Sequence, residues 1–330
     1  MRRKNWFQVY LGWMIAGFLL AIVIVSCTQS GPSSPSANQP GATSGLNVVS
    51  TSTIIADWTK TVAGDQVNHT SILQPGADPH VYEPTPGDTR TFEQANLILY
   101  NGYNLEPGLI RLMESSGGKA KKVAVGEVIQ PLQLDKEGAG RVPDPHVWGN
   151  VENAIAIVNR IRDELVQLVP DGKNTFTQNA AQFTTELAQL HQWIGQQIQT
   201  IPPEQRQLIT THDAFQYYAR AYGLKVAGTL IGISTEEQPS AQTVKQLVEA
   251  IKATGTPAIF AETTINPTLI ETVSKSAGVK LAPQKLYSDS IGAPGSDGDS
   301  YIKMMVANTT AITQNLGGRV TPFQPNASGK

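Results

Sequence analysis

From residue 46 onward, short apolar runs alternate with stretches in which apolar side chains recur every three or four positions. Runs of the first kind predict strands and stretches of the second predict helices, so the pattern calls for an α/β sheet. Residues 46–50, 67–73, 97–100 and 122–125 read as strands, with helices over 54–62 and 89–94. A helix over 151–168 would place Ile155, Val158, Ile161, Leu165 and Leu168 on one face. The longest periodic stretch, 174–198, spaces Phe176, Ala180, Phe183, Leu187, Leu190, Ile194 and Ile198 by threes and fours, with Gly172 before it and Pro202-Pro203 after it. At a rise of about 1.5 Å per residue, such a helix runs nearly the length of a domain and is read as a backbone joining two lobes. Beyond it the alternation resumes. Strands are expected at 207–210, 225–230, 258–261 and 285–287, and helices at 213–222, 267–277 and 301–316. One more helix carries Val244, Leu247, Val248 and Ile251 between an N-cap at Ser240 and a closing Gly255. Asp299-Ser300 is the expected cap of the last helix.

The amino terminus departs from this pattern. Arg2, Arg3 and Lys4 precede a mostly apolar run over 9–25, and Ser26 stands just before Cys27, the only cysteine. This is the form of an export signal, and it resembles a bacterial lipoprotein signal over residues 1–26, with Cys27 as the lipid-bearing first residue of the mature chain. The alternative is a transmembrane anchor, since the run approaches the length that spans a bilayer. Residues 27–45, rich in Ser, Pro, Gly, Asn and Gln and free of charge, read as a flexible tether. The expected location is therefore periplasmic, or the outer face of the cytoplasmic membrane, held by lipid. With Cys27 acylated no disulfide can form. Without Arg2, Arg3 and Lys4 the formal charge falls from −2 to −5, which argues against nucleic acid and suits a protein that attracts cations. The length of 330 residues suggests two domains, expected at 46–173 and 202–330 with the linking helix at 174–201.

One short motif occurs twice. Asp78-Pro79-His80-Val81-Tyr82 recurs as Asp144-Pro145-His146-Val147-Trp148, so two of five histidines sit in matched settings. In each copy proline stiffens the backbone before the imidazole, and an aspartate two residues away can orient a ring nitrogen. A pair of Asp-Pro turns with incidental histidines is the competing reading. His80, His146, His212 and Asp289 each fall just past a predicted strand or at a turn into a helix, the edge at which open α/β sheets bind ligands. Three imidazoles and one carboxylate make a donor set suited to zinc and acceptable to manganese or iron. Alternatively, His212 with Asp213 serves a helix start, and Asp289 belongs to ordinary Ser-Asp-Ser turn chemistry. His69 and His191 have no partner motif and read as structural or solvent-facing. Asp297-Gly298-Asp299 lacks the later spacing of a calcium loop and reads as turn and cap, and Asn68-His69-Thr70 is a glycosylation sequon of little meaning in a bacterial lipoprotein. No glycine-rich phosphate loop and no Gly-x-Ser-x-Gly turn is present.

Over residues 46–317 the chain resembles the substrate-binding proteins of metal-ion ABC transporters, the zinc/manganese family. The resemblance lies in residues 75–86, in Tyr100-Asn101-Gly102-Tyr103-Asn104-Leu105-Glu106, in the second Asp-Pro-His motif, in Thr211-His212-Asp213-Ala214-Phe215, and in Ser288-Asp289-Ser290 with Gly298-Asp299-Ser300-Tyr301. It implies an α/β fold of two Rossmann-like lobes joined by one long backbone helix, with the metal held in the cleft by His80, His146, His212 and Asp289. It also implies a receptor, expected as a monomer, that hands its ion to a membrane permease driven by a cytoplasmic ATPase. Members resembling manganese receptors carry Glu where this chain has His212, and those resembling zinc receptors carry His. Zinc members often carry a long His- and acid-rich loop, whereas residues 107–143 here contain no histidine, and some loop-free members with the same donor set accept both metals. Zinc is the expected cargo, with manganese or dual use as the alternative. A zinc hydrolase would need an open position for water; if Asp289 closes the shell none is left, and the candidate bases Glu83 and Asp213 have no positioning motif. No enzymatic activity is expected. An adhesion role is a further class suggested by some members.

Overall fold

The computed structural model describes residues 45–116, 118–136 and 140–325. The expected signal over 1–26, Cys27 and the tether up to residue 44 lie outside them. The fold opens with β1 (Asn47–Ser50), α1 (Thr53–Ala63), β2 (Asn68–Ser71), α2 (Pro86–Gln94), β3 (Leu97–Tyr100), α3 (Pro107–Ser115) and β4 (Lys121–Ala124). The four strands form a parallel sheet in the order β2-β1-β3-β4. Its central strands are apolar on both faces because helices cover both. The two-residue strand period sends Val48, Leu97 and Leu99 into one core and Val49 and Ile98 into another.

Helix starts follow local capping chemistry. Ser52 accepts the Ile55 N–H at the start of α1, at 3.3 Å. At α2, Thr85 and Asp88 cap each other reciprocally with Pro86 in the first turn, so the helix begins three residues before the expected 89. Apolar spacing could not reveal that start, since Phe92 is the apolar residue α2 buries. The hydrophobic reading also missed α3, which begins at Pro107 and buries Leu109 and Met113, and an antiparallel hairpin of β5 (Gln133–Lys136) and β6 (Gly140–Pro143). The hairpin is too polar to show alternation.

After a 3₁₀ turn at Val147–Gly149 come α4 (Val151–Leu168) and α5 (Lys173–Gln199). With 27 residues, α5 extends about 40 Å. It buries Phe176, Ala180, Phe183, Leu187, Leu190 and Ile194, as the periodicity required. These side chains belong to one continuous core that runs from Val48 through Ile161 to Ile312, making α5 the spine shared by both lobes.

The second lobe contains β7 (Gln207–Thr210), α6 (Gln216–Tyr222), β8 (Lys225–Thr229), α7 (Ala241–Thr254), β9 (Ala258–Ile259), α8 (Thr268–Ala277), β10 (Lys280–Leu281) and α9 (Tyr301–Asn315). β7 pairs with β8 and β9 with β10, all parallel, and the Phe260 N–H donates to the Ile209 carbonyl at 3.0 Å. β7–β8 and β9–β10 are two separate two-stranded sheets, and that bond brings β9 beside β7. Ser240 caps α7, Gly255 closes it at φ 62°, and Ser300 caps α9. Asp299 pairs with Lys303 and accepts the Gly295 N–H, consistent with a turn rather than a calcium loop. Two expectations need correction. The strand at 285–287 is a single bridge between Leu286 and Glu262, and the sheet edge is Lys280–Leu281 instead. The helix at 213–222 begins only at Gln216, because the Asp213 N–H is taken by Gly232 and the Ala214 N–H by His212 in a turn. No helix among the described residues is long and apolar enough to cross a membrane.

Candidate metal centre

His80 lies in the irregular segment between β2 and α2, and His146 follows β6 at the entry to the 3₁₀ turn. His212 sits two residues past β7, and Asp289 follows the Leu286 bridge. The two Asp-Pro-His copies differ in detail. Asp144 Oδ1 accepts the His146 N–H at 3.0 Å and also contacts its ring Nδ1 at 2.7 Å. Asp78 Oδ1 instead accepts the backbone N–H of His80, at 2.9 Å, and Asp78 Oδ2 accepts the Thr235 hydroxyl at 2.6 Å. The expected carboxylate-to-ring contact therefore exists in the second copy, while in the first the carboxylate fixes the backbone. His212 is held by a residue the sequence reading did not find. Glu262 Oε1 accepts the His212 N–H at 2.8 Å, and Oε2 contacts its Nδ1. A carboxylate on Nδ1 assigns the proton there and leaves Nε2 with a lone pair for a ligand.

The four side chains converge. His80 Nε2 and His146 Nε2 are 3.2 Å apart, His146 Nε2 lies 3.5 Å from Asp289 Oδ1, and His212 Nε2 lies 3.2 Å from Asp289 Oδ2. One donor atom from each residue falls within 4.8 Å of all the others. His80 is 3 % exposed, Asp289 1 %, and His146 and His212 are fully buried. Asp289 Oδ1 is buried without a hydrogen-bond partner. Converging lone pairs withdrawn from water are unfavourable unless a cation satisfies them. Burial alone would push the Asp289 carboxyl up, but the imidazoles, His212 foremost, hold it well below the usual carboxylate range. Burial would likewise push the His212 imidazole down, yet the carboxylates of Glu262 and Asp289 hold it well above its ordinary value. The centre thus places a cation's charge where acidic groups already favour it.

Both lobes are stitched together around this cluster. Trp148 Nε1 donates to the Ser288 carbonyl at 2.9 Å, and the Tyr301 hydroxyl donates to the Trp148 carbonyl at 2.7 Å. Ser290 shares a hydrogen bond with Thr53 at 3.0 Å and accepts the Gly76 N–H at 2.8 Å. A further buried acid, Glu106, accepts the Asn101 N–H and the Thr51 hydroxyl, both at 2.8 Å. Asn101 Nδ2 in turn donates to the Pro145 carbonyl beside His146. Burial pushes the Glu106 carboxyl up to about 7.

The two other histidines are bonded to residues outside the cluster. His69 shares a hydrogen bond with Ser50, and His191 with the Tyr222 hydroxyl, in keeping with structural roles. Glu83 is exposed, and Asp213, directly after His212, accepts Gln216 Nε2 at 2.7 Å. The sign of Glu262 in the sequence was faint: an acid directly after the apolar run at 258–261.

Residues 48–315 match the family described as zinc-uptake complex component A, periplasmic. The chain is 34% identical over 305 residues to the manganese ABC transporter substrate-binding lipoprotein ScaA of Streptococcus gordonii, covering 91% of this chain and 98% of that one. The structure of the periplasmic zinc binding protein TroA from Treponema pallidum superposes with a TM-score of 0.78 at 34% identity, covering 82% of this chain and 99% of TroA. Fe(III)-bound YtgA from Chlamydia trachomatis gives 0.75 at 29% identity, covering 84% and 100%. The alternating lobes, the spine helix and the convergent donors agree with these likenesses, and the chain belongs to the family of the periplasmic component A of zinc-uptake complexes, the metal-binding receptors of ABC importers.

Proposed function

We propose that this chain is a lipid-anchored extracytoplasmic receptor that captures zinc between its lobes through His80, His146, His212 and Asp289 and delivers it to a permease with a cytoplasmic ATPase. The lobes of this reading span residues 46–173 and 202–330, and Cys27 bears the lipid. The observation that carries it is the convergence of the four buried donor atoms within 4.8 Å. With three imidazoles and one carboxylate the shell is complete at four, the number zinc favours, and no position remains for an activated water. That supports a binding protein over a hydrolase. Divalent ions bind such nitrogen-rich sites in an order that places zinc well above manganese.

A second reading, manganese or dual use, has specific support: ScaA is named a manganese receptor and TroA a zinc binding protein. Competition titration of metal-free protein with zinc and manganese, followed by metal analysis, decides between them. Zinc should bind more tightly at neutral pH, and His212→Glu should narrow the gap by exchanging a borderline nitrogen for a hard, charged oxygen. Equal affinities, or an unchanged ratio in His212→Glu, would refute the zinc assignment. Failure of both metals to bind would refute the receptor reading.

A further inference from the structure

A cavity of about 390 Å³ adjoins the centre, walled by both lobes, with His80, Tyr103, Glu127 and Pro145 on one side and Ser234 and Glu236 on the other. His80 belongs to its wall and His146, His212 and Asp289 do not. The cleft margin near Asp289 is closed by the buried Trp148 and Tyr301 and by the bonds of Ser290 to Thr53 and Gly76. At the cavity, the second lobe's wall is held differently. Thr235, between the lining residues Ser234 and Glu236, donates its hydroxyl to Asp78 Oδ2, the carboxylate whose other oxygen holds the backbone of His80.

We propose that this cavity is the passage by which the ion reaches and leaves His80, and that Thr235 is a positioning residue that latches the passage shut through Asp78. The proposal rests on the metal-receptor reading. Its physical content is a coupling: one carboxylate grips the backbone of a ligand and the segment that closes the way to it. When the Thr235 hydroxyl lets go, the wall segment and His80 loosen together, so opening the passage and weakening the hold on the ion are one event. A half-buried hydrogen bond to a charged group contributes enough to matter on this scale.

The test is kinetic. Zinc-loaded protein is mixed with excess chelator and the release rate followed by stopped flow; uptake is followed from the metal-free protein, and equilibrium affinity is measured in parallel. Thr235→Val keeps the shape and removes the hydroxyl, and it should speed release about tenfold and speed uptake as well, with a melt of the metal-free variant checking that it is folded. Thr235→Ser, which restores the hydroxyl, should return both rates toward wild type. Ser234→Phe narrows the passage and should slow uptake and release by the same factor, leaving affinity intact, because an obstruction on a route changes rates and not equilibria. Wild-type release rates in Thr235→Val would overturn the latch, and wild-type rates in a folded Ser234→Phe would overturn the passage. Either result could occur while wild-type protein still binds zinc tightly, so loss of this inference is distinguishable from loss of the receptor reading.

Discussion

Glu262 offers the sharpest single perturbation of the centre. It is fully buried, and its two oxygens serve the backbone N–H and the ring Nδ1 of His212. Glu262→Ala strands both donors in a site that excludes water. Leaving a buried polar group unsatisfied costs about 1–3 kcal/mol, so two amount to roughly 2–6 kcal/mol. The backbone share is lost with and without metal and appears as lowered stability. The ring share bears on metal affinity, because without an acceptor on Nδ1 the imidazole is free to change tautomer and to rotate. Removing such a partner typically weakens metal binding 10–100-fold, or about 1.4–2.7 kcal/mol. Part of this is offset, since the same carboxylate favours the proton that competes with metal on His212 in the empty protein. The net expectation is a loss of at least tenfold in zinc affinity for Glu262→Ala. Glu262→Gln, with one acceptor for two donors, should fall between it and the wild type. Competition against a chelator of known affinity reads the effect, and a thermal melt of each metal-free variant separates folding from binding. A folded Glu262→Ala that binds zinc within twofold of wild type would refute the reasoning, because His212 would then be oriented by something other than Glu262 or would not ligate.

Three other outcomes are expected. Burial pushes Glu106 from an ordinary 4.5 up to about 7, so its contribution to stability is full below about 4.5 and is lost as pH rises through 7, a change of about 3 kcal/mol. His69 is lowered from 6.5 to about 4 by burial and by Lys60, so its contribution is present above 6.5 and lost as pH falls through 4. The two oppose each other between these values, and Glu106→Gln should unmask the His69 slope and stabilise the metal-free chain relative to wild type more at pH 8 than at pH 5. The same difference at both pH values in urea unfolding would contradict this. Cys27→Ser should release the protein from the membrane fraction, and an unchanged distribution with no mass added at residue 27 would count against the lipid anchor. The unbroken α5 and the continuous core across it should keep the lobes from rotating far when metal binds, and a large compaction in X-ray scattering on adding zinc would show otherwise.

Much of this protein was legible in order along the chain. The three-and-four spacing from Phe176 to Ile198 required a long helix with one buried face, and α5 has that helix's length and buries that face. The alternating apolar runs required two α/β halves, and capping residues such as Ser240 with Gly255 marked their helices correctly. Such features depend on neighbours within a turn or a strand, so local chemistry encodes them. Elements with little apolar content were not legible: the β5–β6 hairpin is polar, and α2 is set by the Thr85–Asp88 cap rather than by a buried stripe.

The sequence also named the four residues whose donor atoms converge, because a repeated Asp-Pro-His motif and the family resemblance both mark residues by position. What those donors face was decided only by folding. The ring of His212 is oriented by Glu262, fifty residues along the chain, and Asp78 serves His80 and Thr235 together although its motif matches that of Asp144. Whether a carboxylate meets a ring or a backbone N–H depends on approach angles set when two lobes pack on a shared spine. Spacing along the chain carries no record of those angles, because they arise between segments that touch only once the core between them has closed.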